Sequence, residues 1–206
     1  MTLHVITDGK RTADDLVSIL CSIHPYVDHI HVREKNRPAK DLYQIVERLI
    51  HGGIPHKKLI INDRVDVAHI LGVGGVQLAY HSLGVSEVRN SFPGLQVGKS
   101  IHSYQEAVEA EQDGASFLLY GHVYSTKSKD GMKARGMEEL GAIASTISVP
   151  VIAIGGITPD KIAELQGIGI KGIAVMSGIM SAKEPVEAAI SYQTSWRKEG
   201  LDGHEL

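Results

Sequence analysis

The stretch at 151–178, VIAIGGITPDKIAELQGIGIKGIAVMSG, holds two short apolar runs with a helical segment between them. The runs Val151–Ile154 and 173–176 consist of apolar residues, as is typical of parallel strands that are buried on both faces. Pro159 stands where the first turn of a helix accepts proline, and Gly169 stands where a helix would end. The stretch therefore predicts one strand–helix–strand unit of a parallel sheet.

The same alternation continues along the whole chain of 206 residues. Eight such pairs predict an α/β protein, a single-domain (β/α)₈ TIM barrel over residues 1–206, with a frayed polar tail at 199–206. An open, doubly wound sheet is the alternative, because the number of strands alone does not close a barrel. Strands are predicted at 3–7, 29–33, 59–62, 75–78, 96–100, 117–120, 151–154 and 172–176. Helices are predicted at 13–23, 39–51, 65–71, 85–90, 103–113, 137–146, 160–165 and 185–197.

The composition of the chain limits its binding partners and its cellular location. The formal net charge of −3 argues against a basic surface for nucleic acid or an anionic membrane. No apolar run approaches the roughly 18 residues of a membrane-spanning helix, and early charges interrupt any signal peptide. The single cysteine, Cys21, allows no internal disulfide, which fits a reducing cytoplasm. We expect a cytoplasmic protein without nucleic-acid or membrane partners, and a homodimer is a possibility because symmetric pairs are common.

In both candidate architectures the ligand site lies beyond the carboxyl ends of the strands. Polar and cationic residues follow most of the predicted strands in this chain. Arg33 and Lys35 follow the second strand, Asn62 ends the third, and Ser100 ends the fifth. We expect this set to bind an anionic ligand together with the loop after the sixth strand, which contributes Thr126, Ser128 and Lys129.

Two glycine-containing turns follow the seventh and eighth strands. Gly155 and Gly156 would let the backbone approach a ligand closely, and Met176 and Ser177 open the last connection, where a short helix would offer N–H groups. Phosphate sites in barrels of this class are commonly built from these two loops. The sequence therefore predicts a phosphorylated ligand; the alternative is that the glycines only make tight turns.

His122 is the candidate for proton transfer, because an imidazole at a strand end can exchange protons near neutral pH. His81 and His102 also stand at the predicted mouth, and His31 could point inward from its strand as a ligand residue. His122 has the most favourable position, between a glycine and the Ser-, Thr- and Lys-rich loop.

A metal site is not indicated. No Cys/His cluster has the spacing of metal ligands. Asp63 and Asp66 could contribute to a magnesium site, but a second carboxylate at a strand end is missing. We therefore expect neither a bound metal nor a cofactor.

Six motifs occur in the order found in the thiamine phosphate synthase superfamily, which the chain resembles over almost its whole length. They are VREK at 32–35, INDRVD at 61–66, GKSIH at 98–102, the loop at 121–129, AIGGI at 153–157 and AVMS at 174–177. The resemblance implies a pyrimidine diphosphate site at Arg33, Lys35, Asn62, Ser100 and Lys129. It implies a thiazole phosphate site at Thr126, Ser128, Gly156, Met176 and Ser177.

Three departures from the synthase pattern alter the expected reaction. His31 replaces the usual Gln, Ser82 replaces an Asp that binds magnesium in synthases, and His122 replaces a Pro. This combination resembles the thiazole tautomerase (TenI) branch of the superfamily, in which a histidine at the position of His122 moves a proton. The resemblance implies an isomerase that acts on a small phosphorylated thiazole without a cofactor. The alternatives are a thiamine phosphate synthase and a non-catalytic, regulatory thiazole-phosphate-binding protein.

Overall fold

The protein is described here by a computed structural model, which covers residues 2–126, 131 and 133–198. Its eight strands form a closed barrel in chain order, and every neighbouring pair is parallel. The (β/α)₈ prediction is therefore confirmed and the open sheet is excluded. The strands are β1 (Thr2–Ile6), β2 (His29–Val32), β3 (Leu59–Asn62), β4 (Gly75–Leu78), β5 (Gln96–Ile101), β6 (Phe117–Gly121), β7 (Val151–Ile154) and β8 (Gly172–Val175).

Helices surround the barrel, and their bounds lie within about two residues of those predicted. Before α7, residues 159–161 form a 3₁₀ turn, in which the N–H of Lys161 donates to the carbonyl of Thr158 at 3.0 Å; Pro159 is accepted there because the first N–H groups of a helix have no intrahelical acceptor. An additional short helix, α8, follows the last strand. The helices are α1 (Ala13–Ile23), α2 (Ala39–His51), α3 (Val65–Ile70), α4 (Val85–Ser91), α5 (Tyr104–Gln112), α6 (Glu138–Thr146), α7 (Ile162–Gln166), α8 (Ser177–Met180) and α9 (Pro185–Lys198).

Alternation along each strand divides the buried residues between two regions. In β1, Leu3 and Val5 belong to the large core between the barrel and the helices, whereas Ile6 belongs to a smaller cluster inside the barrel. The inner cluster also contains Ile60, Phe117, Leu119, Ile152 and Ala174. Side chains therefore fill the interior of the barrel, as is usual in this fold, in which ligands bind at the carboxyl ends of the strands. None of the helices within the described residues is long and apolar enough to span a bilayer.

Candidate active site

A cavity of about 630 Å³ opens at the carboxyl ends of the strands. Residues at the end of each of the eight strands, or just after it, contribute to its wall, as expected for a (β/α)₈ barrel. The contributors, in the order of the strands, include Asp8, Arg33, Asn62, Tyr80, His102, His122, Gly156 and Ser177.

Every predicted site residue that the structure describes lines this cavity. These residues are His122, Arg33, Lys35, Asn62, Ser100, Thr126, Gly155, Gly156, Met176 and Ser177. The two remaining predicted residues, Ser128 and Lys129, lie outside the described residues. The structure thus places the described part of the predicted site in one cavity, while the role of each residue remains a prediction.

The turn after β7 packs tightly against the loop after β6. Gly155 and Gly156 have φ angles of 106° and 66°, which side-chain-bearing residues rarely adopt. A Cβ atom on Gly156 would lie 2.5 Å from the carbonyl oxygen of Ser125. Tyr124 donates its backbone N–H to the carbonyl of Gly155 at 3.0 Å. Both glycines are therefore required for this packing, and both line the cavity.

The helix α8 places a second set of backbone groups at the cavity. Its first residues, Ser177 and Gly178, line the wall. In a helix the first N–H groups have no intrahelical acceptor, so they are suited to an anion such as phosphate. Met180 and Ser181 donate their N–H groups to the carbonyls of Met176 and Ser177, at 2.8 and 3.0 Å, which fixes this single turn.

Tyr192 connects the two turns, and no pattern in the sequence predicted this role. Its hydroxyl donates to the carbonyl of Ile157 at 2.9 Å, and a Cβ atom on Gly178 would lie 2.2 Å from the hydroxyl oxygen. Burial raises the pKa of Tyr192, so the hydroxyl keeps its proton and remains a donor. The aromatic residue of α9 thus holds the turn after β7 against the start of α8.

His122 follows β6 and is 4% exposed in the cavity wall. The backbone N–H of Arg135 donates to the carbonyl of His122 at 3.0 Å, and the Arg135 guanidinium donates to the carbonyl of His102 at 2.6 Å. The end of the β6–α6 connection therefore bridges the loops that carry the two histidines. A cis peptide bond joins Gly121 to His122.

The rim of the cavity carries cations on the β1 and β2 side. Arg33 and Lys35 were predicted there, and Lys10 joins them from the loop after β1. Within the part of the chain that the structure describes, neither Arg33 nor Lys35 forms an ion pair with a carboxylate. Their charge is accordingly free to interact with an anionic ligand.

The floor of the cavity is formed by side chains of the barrel interior. His31 does point inward, as the sequence allowed, and Gln77 lies beside the cavity on β4. Gln77 donates its side-chain N–H to the Ser100 hydroxyl at 3.0 Å, which positions Ser100. Burial lowers the pKa of His31 to about 3, assisted by repulsion from His29. The floor is therefore polar but uncharged near neutral pH.

The donor set at the mouth fits a magnesium ion poorly. Asp63 lies 3.8 Å from the Nε2 atom of His81, and Asp66 instead pairs with Arg64, whose hydrogen bonds lower the pKa of Asp66. Ser82 accepts a hydrogen bond from the backbone N–H of Ala79 at 2.8 Å. Across the described residues no cluster of three or more His, Cys, Asp or Glu side chains is arranged to hold a metal ion.

Comparisons with known proteins identify the family. The model of the family TMP-TENI, described as thiamine monophosphate synthase, matches residues 3–179. Thiamine-phosphate synthase of Pyrococcus furiosus is 35% identical over 185 residues and 89% of both chains. That of Desulfitobacterium hafniense is 35% identical over 204 residues, which cover 95% of this chain and 97% of the relative.

A solved structure agrees with these sequence matches. Thiamine phosphate pyrophosphorylase from Pyrococcus furiosus superposes with a TM-score of 0.82 at 31% identity, covering 96% of each chain. The names of these relatives favour the synthase alternative over the tautomerase that the sequence motifs favoured. The finer assignment to the tautomerase branch does not follow from them. The chain belongs to the thiamine monophosphate synthase (TMP-TENI) family of thiamine-biosynthesis enzymes.

Proposed function

We propose that this protein is a thiazole tautomerase, which converts the exocyclic-alkene carboxythiazole ethyl phosphate tautomer into aromatic 2-(2-carboxy-4-methylthiazol-5-yl)ethyl phosphate. The observation that carries the proposal is the position of His122, buried in the wall of the cavity beside the paired glycines. The imidazole of His122, which can transfer a proton, thus lies next to the turns after β7 and β8, whose backbone N–H groups suit a phosphate.

The reaction moves one proton and needs no redox partner. A base removes the proton from the ring carbon that bears the carboxylate, and the same proton or its equivalent is delivered to the exocyclic carbon. The electron pair of the broken C–H bond enters the ring, which becomes aromatic and thereby supplies the driving force. A single imidazole that reaches both carbons can perform both transfers, and His122 has this role in the proposal.

The two anionic ends of the substrate would occupy different parts of the cavity. The phosphate would bind at the backbone of Gly156 and Ser177, with Thr126 alongside. The carboxylate would bind at the β2 side of the cavity, where Arg33 and Lys35 provide positive charge. The ring would then lie between these two groups of residues, in the same cavity that His122 lines.

Thiamine phosphate synthase is the second candidate, and the names of the relatives favour it. The cavity residues Arg33, Lys35, Asn62 and Ser100 agree with a pyrimidine diphosphate site. The poor set of magnesium ligands argues against a synthase, because synthases use magnesium to neutralise the departing pyrophosphate. Ser82 supplies a hydroxyl where a carboxylate is needed.

One set of assays separates these candidates. The tautomer would be generated by thiazole synthase, and formation of the aromatic product would be followed by ultraviolet absorbance; thiamine phosphate formation from pyrimidine diphosphate and magnesium would be measured in parallel. We expect acceleration of the first reaction, and a loss of ~10²-fold or more in His122→Ala, because a general acid–base is removed. His51→Ala is the control, since His51 is exposed on α2 and away from the cavity.

Each outcome has a distinct meaning. Synthesis of thiamine phosphate without acceleration of aromatisation would replace the proposal with the synthase. Binding of thiazole phosphate with neither reaction would leave a non-catalytic binding protein. Acceleration that is equal in wild type and in His122→Ala would remove His122 from the mechanism.

A further inference from the structure

A hydrogen-bonded chain of side chains runs through the interior of the barrel. The Nδ1 atom of His4 lies 2.9 Å from Nε2 of His31, and Nε2 of His4 lies 2.9 Å from the hydroxyl oxygen of Thr2. Thr2 begins β1 at the amino-terminal end of the barrel, whereas His31 lines the cavity at the other end. The chain thus connects the bottom of the barrel to the floor of the cavity.

The two imidazoles of this hydrogen-bonded series, those of His4 and His31, are neutral at physiological pH. Burial holds the pKa of His4 well below its usual value, and repulsion from His31 and His29 lowers it further. Burial likewise lowers the pKa of His31 to about 3. A neutral imidazole has one N–H donor and one acceptor nitrogen, so a hydrogen bond at one nitrogen determines the role of the other.

The contacts of Thr2 determine which atom donates and which accepts in each of these hydrogen bonds. The hydroxyl oxygen of Thr2 also lies 3.4 Å from the carbonyl oxygen of Lys171, which can only accept. Thr2 has a single hydroxyl proton, so both of its contacts form together only if it donates to Lys171 and accepts from Nε2–H of His4. Nδ1 of His4 is then an acceptor, and Nε2 of His31 must be the donor. Nδ1 of His31 is left with its lone pair.

We propose that Thr2 and His4 are positioning residues that hold His31 in its Nε2-protonated form, so that Nδ1 of His31 is an uncharged hydrogen-bond acceptor at the cavity floor. His31 is 1% exposed, and its Nδ1 atom has no hydrogen-bond partner among the described residues. Unpaired buried acceptors are costly, which favours a ligand that supplies the missing donor.

The floor around His31 defines the kind of group that fits. Ile6, Leu119 and Ala174 line the same cavity and belong to the apolar cluster inside the barrel. An anionic group would be disfavoured there, because it would meet apolar side chains and a lone pair. The floor therefore takes an uncharged ring bearing an N–H or O–H group, while anionic groups bind at the rim. The inference goes beyond the proposed function and does not depend on which reaction is catalysed.

Nuclear magnetic resonance of the intact protein tests the protonation pattern directly. With ¹⁵N-labelled histidine, long-range ¹H–¹⁵N spectra at pH 7 distinguish the protonated ring nitrogen from the bare one. We expect His4 and His31 both to be neutral and protonated at Nε2. A proton on Nδ1 of His31, or a charged ring, would overturn the proposal without any variant being made.

A pair of substitutions tests the role of Thr2. Thr2→Val preserves the shape of the side chain and removes both hydrogen bonds, so His4 and His31 should populate both tautomers. Thr2→Ser retains the hydroxyl and should leave the spectrum as in wild type. If Thr2→Val leaves both tautomers unchanged, Thr2 is not a positioning residue and the proposal fails.

Two small ring compounds test the acceptor. 2-Aminothiazole carries N–H donors, whereas 2-methylthiazole has nearly the same size and carries none. We expect the amino compound to shift the Nδ1 resonance of His31 and the methyl compound to leave it largely unchanged. Equal responses, including no response to either compound, would overturn the assignment of an acceptor at the floor. Because none of these measurements uses turnover, their failure is distinct from failure of the proposed tautomerase.

Discussion

Gly155 and His122 are in such close contact that a side chain on Gly155 would displace the histidine. A Cβ atom on Gly155 would lie 2.3 Å from Cβ and 2.6 Å from Cα of His122. The turn after β7 is thus a direct support for the residue that follows β6. The glycine predicted to approach a phosphate and the histidine predicted to move a proton depend on one another.

Gly155→Ala is therefore expected to impair both stability and turnover. The φ angle of 106° strains any residue with a side chain, by about 1–3 kcal/mol. The new methyl group would push His122 aside, and a displacement of about 1 Å can cost ~10²-fold in rate. Tautomerase assays and denaturant unfolding would measure the two effects.

Gly141→Ala is the matched control for that substitution. Gly141 lies within α6, and a Cβ atom there would meet no other atom within 4 Å. Alanine is favoured over glycine inside a helix by roughly 0.5–1 kcal/mol, so the control should be slightly more stable and equally active. Equal activity of the two variants would show that the contact with Gly155 does not position His122.

The order of the strands and the position of the cavity could be predicted because both follow from local patterns. Runs such as Val151–Ile154 are apolar throughout and end at glycine, which marks a buried parallel strand and its carboxyl end. In a barrel all such ends meet at one face. Residues just after strands, such as Arg33 and His122, could therefore be assigned to the same cavity.

Tyr192 and Gln77 could not be assigned in this way. Tyr192 lies in α9, far along the chain from any strand end, and reaches the cavity only through the packing of that helix against α8. Gln77 lies within β4, and alternation alone does not reveal which interior side chains reach the floor. The chain from Thr2 to His31 was also hidden, because it depends on the register between β1 and β2.

Stability is expected to fall in acid because of His31. Its pKa in the folded protein, about 3, lies below the 6.5 of a histidine exposed to water, so the unfolded state binds protons more readily. The contribution of His31 to the free energy of unfolding is complete above about pH 6.5. It is lost as the pH falls towards 3, by up to about 1.4 kcal/mol per pH unit. His31→Gln should make the fall between pH 6.5 and 4 shallower in urea unfolding; an unchanged slope would contradict this assignment.

Tyr192→Phe is expected to loosen the end of the cavity at which we propose that phosphate binds. The substitution removes the hydrogen bond to the carbonyl of Ile157 and leaves that carbonyl unpaired, at a cost of about 1–3 kcal/mol. We expect weaker binding of thiazole phosphate by calorimetry, with His122 undisturbed and kcat changed less than KM. Tyr104→Phe is the control, because Tyr104 lies at the exposed start of α5. A loss confined to kcat would argue against a role in phosphate binding.

Ser82→Asp tests whether the missing carboxylate explains a weak magnesium site. Asp63 lies in the neighbouring loop, and an Asp side chain at position 82 could keep the hydrogen bond from the N–H of Ala79. A second carboxylate adds the negative charge and the oxygen ligands that magnesium prefers. Mn²⁺ serves as a paramagnetic substitute, and we expect it to bind at least about tenfold more tightly to Ser82→Asp than to the unaltered protein, a difference of roughly 1.4 kcal/mol in binding free energy. Ser82→Asn has the same shape without the charge and should show no gain. Tight Mn²⁺ binding by the unaltered protein would contradict the argument and would favour the synthase, because the site would then hold its metal without the carboxylate at position 82.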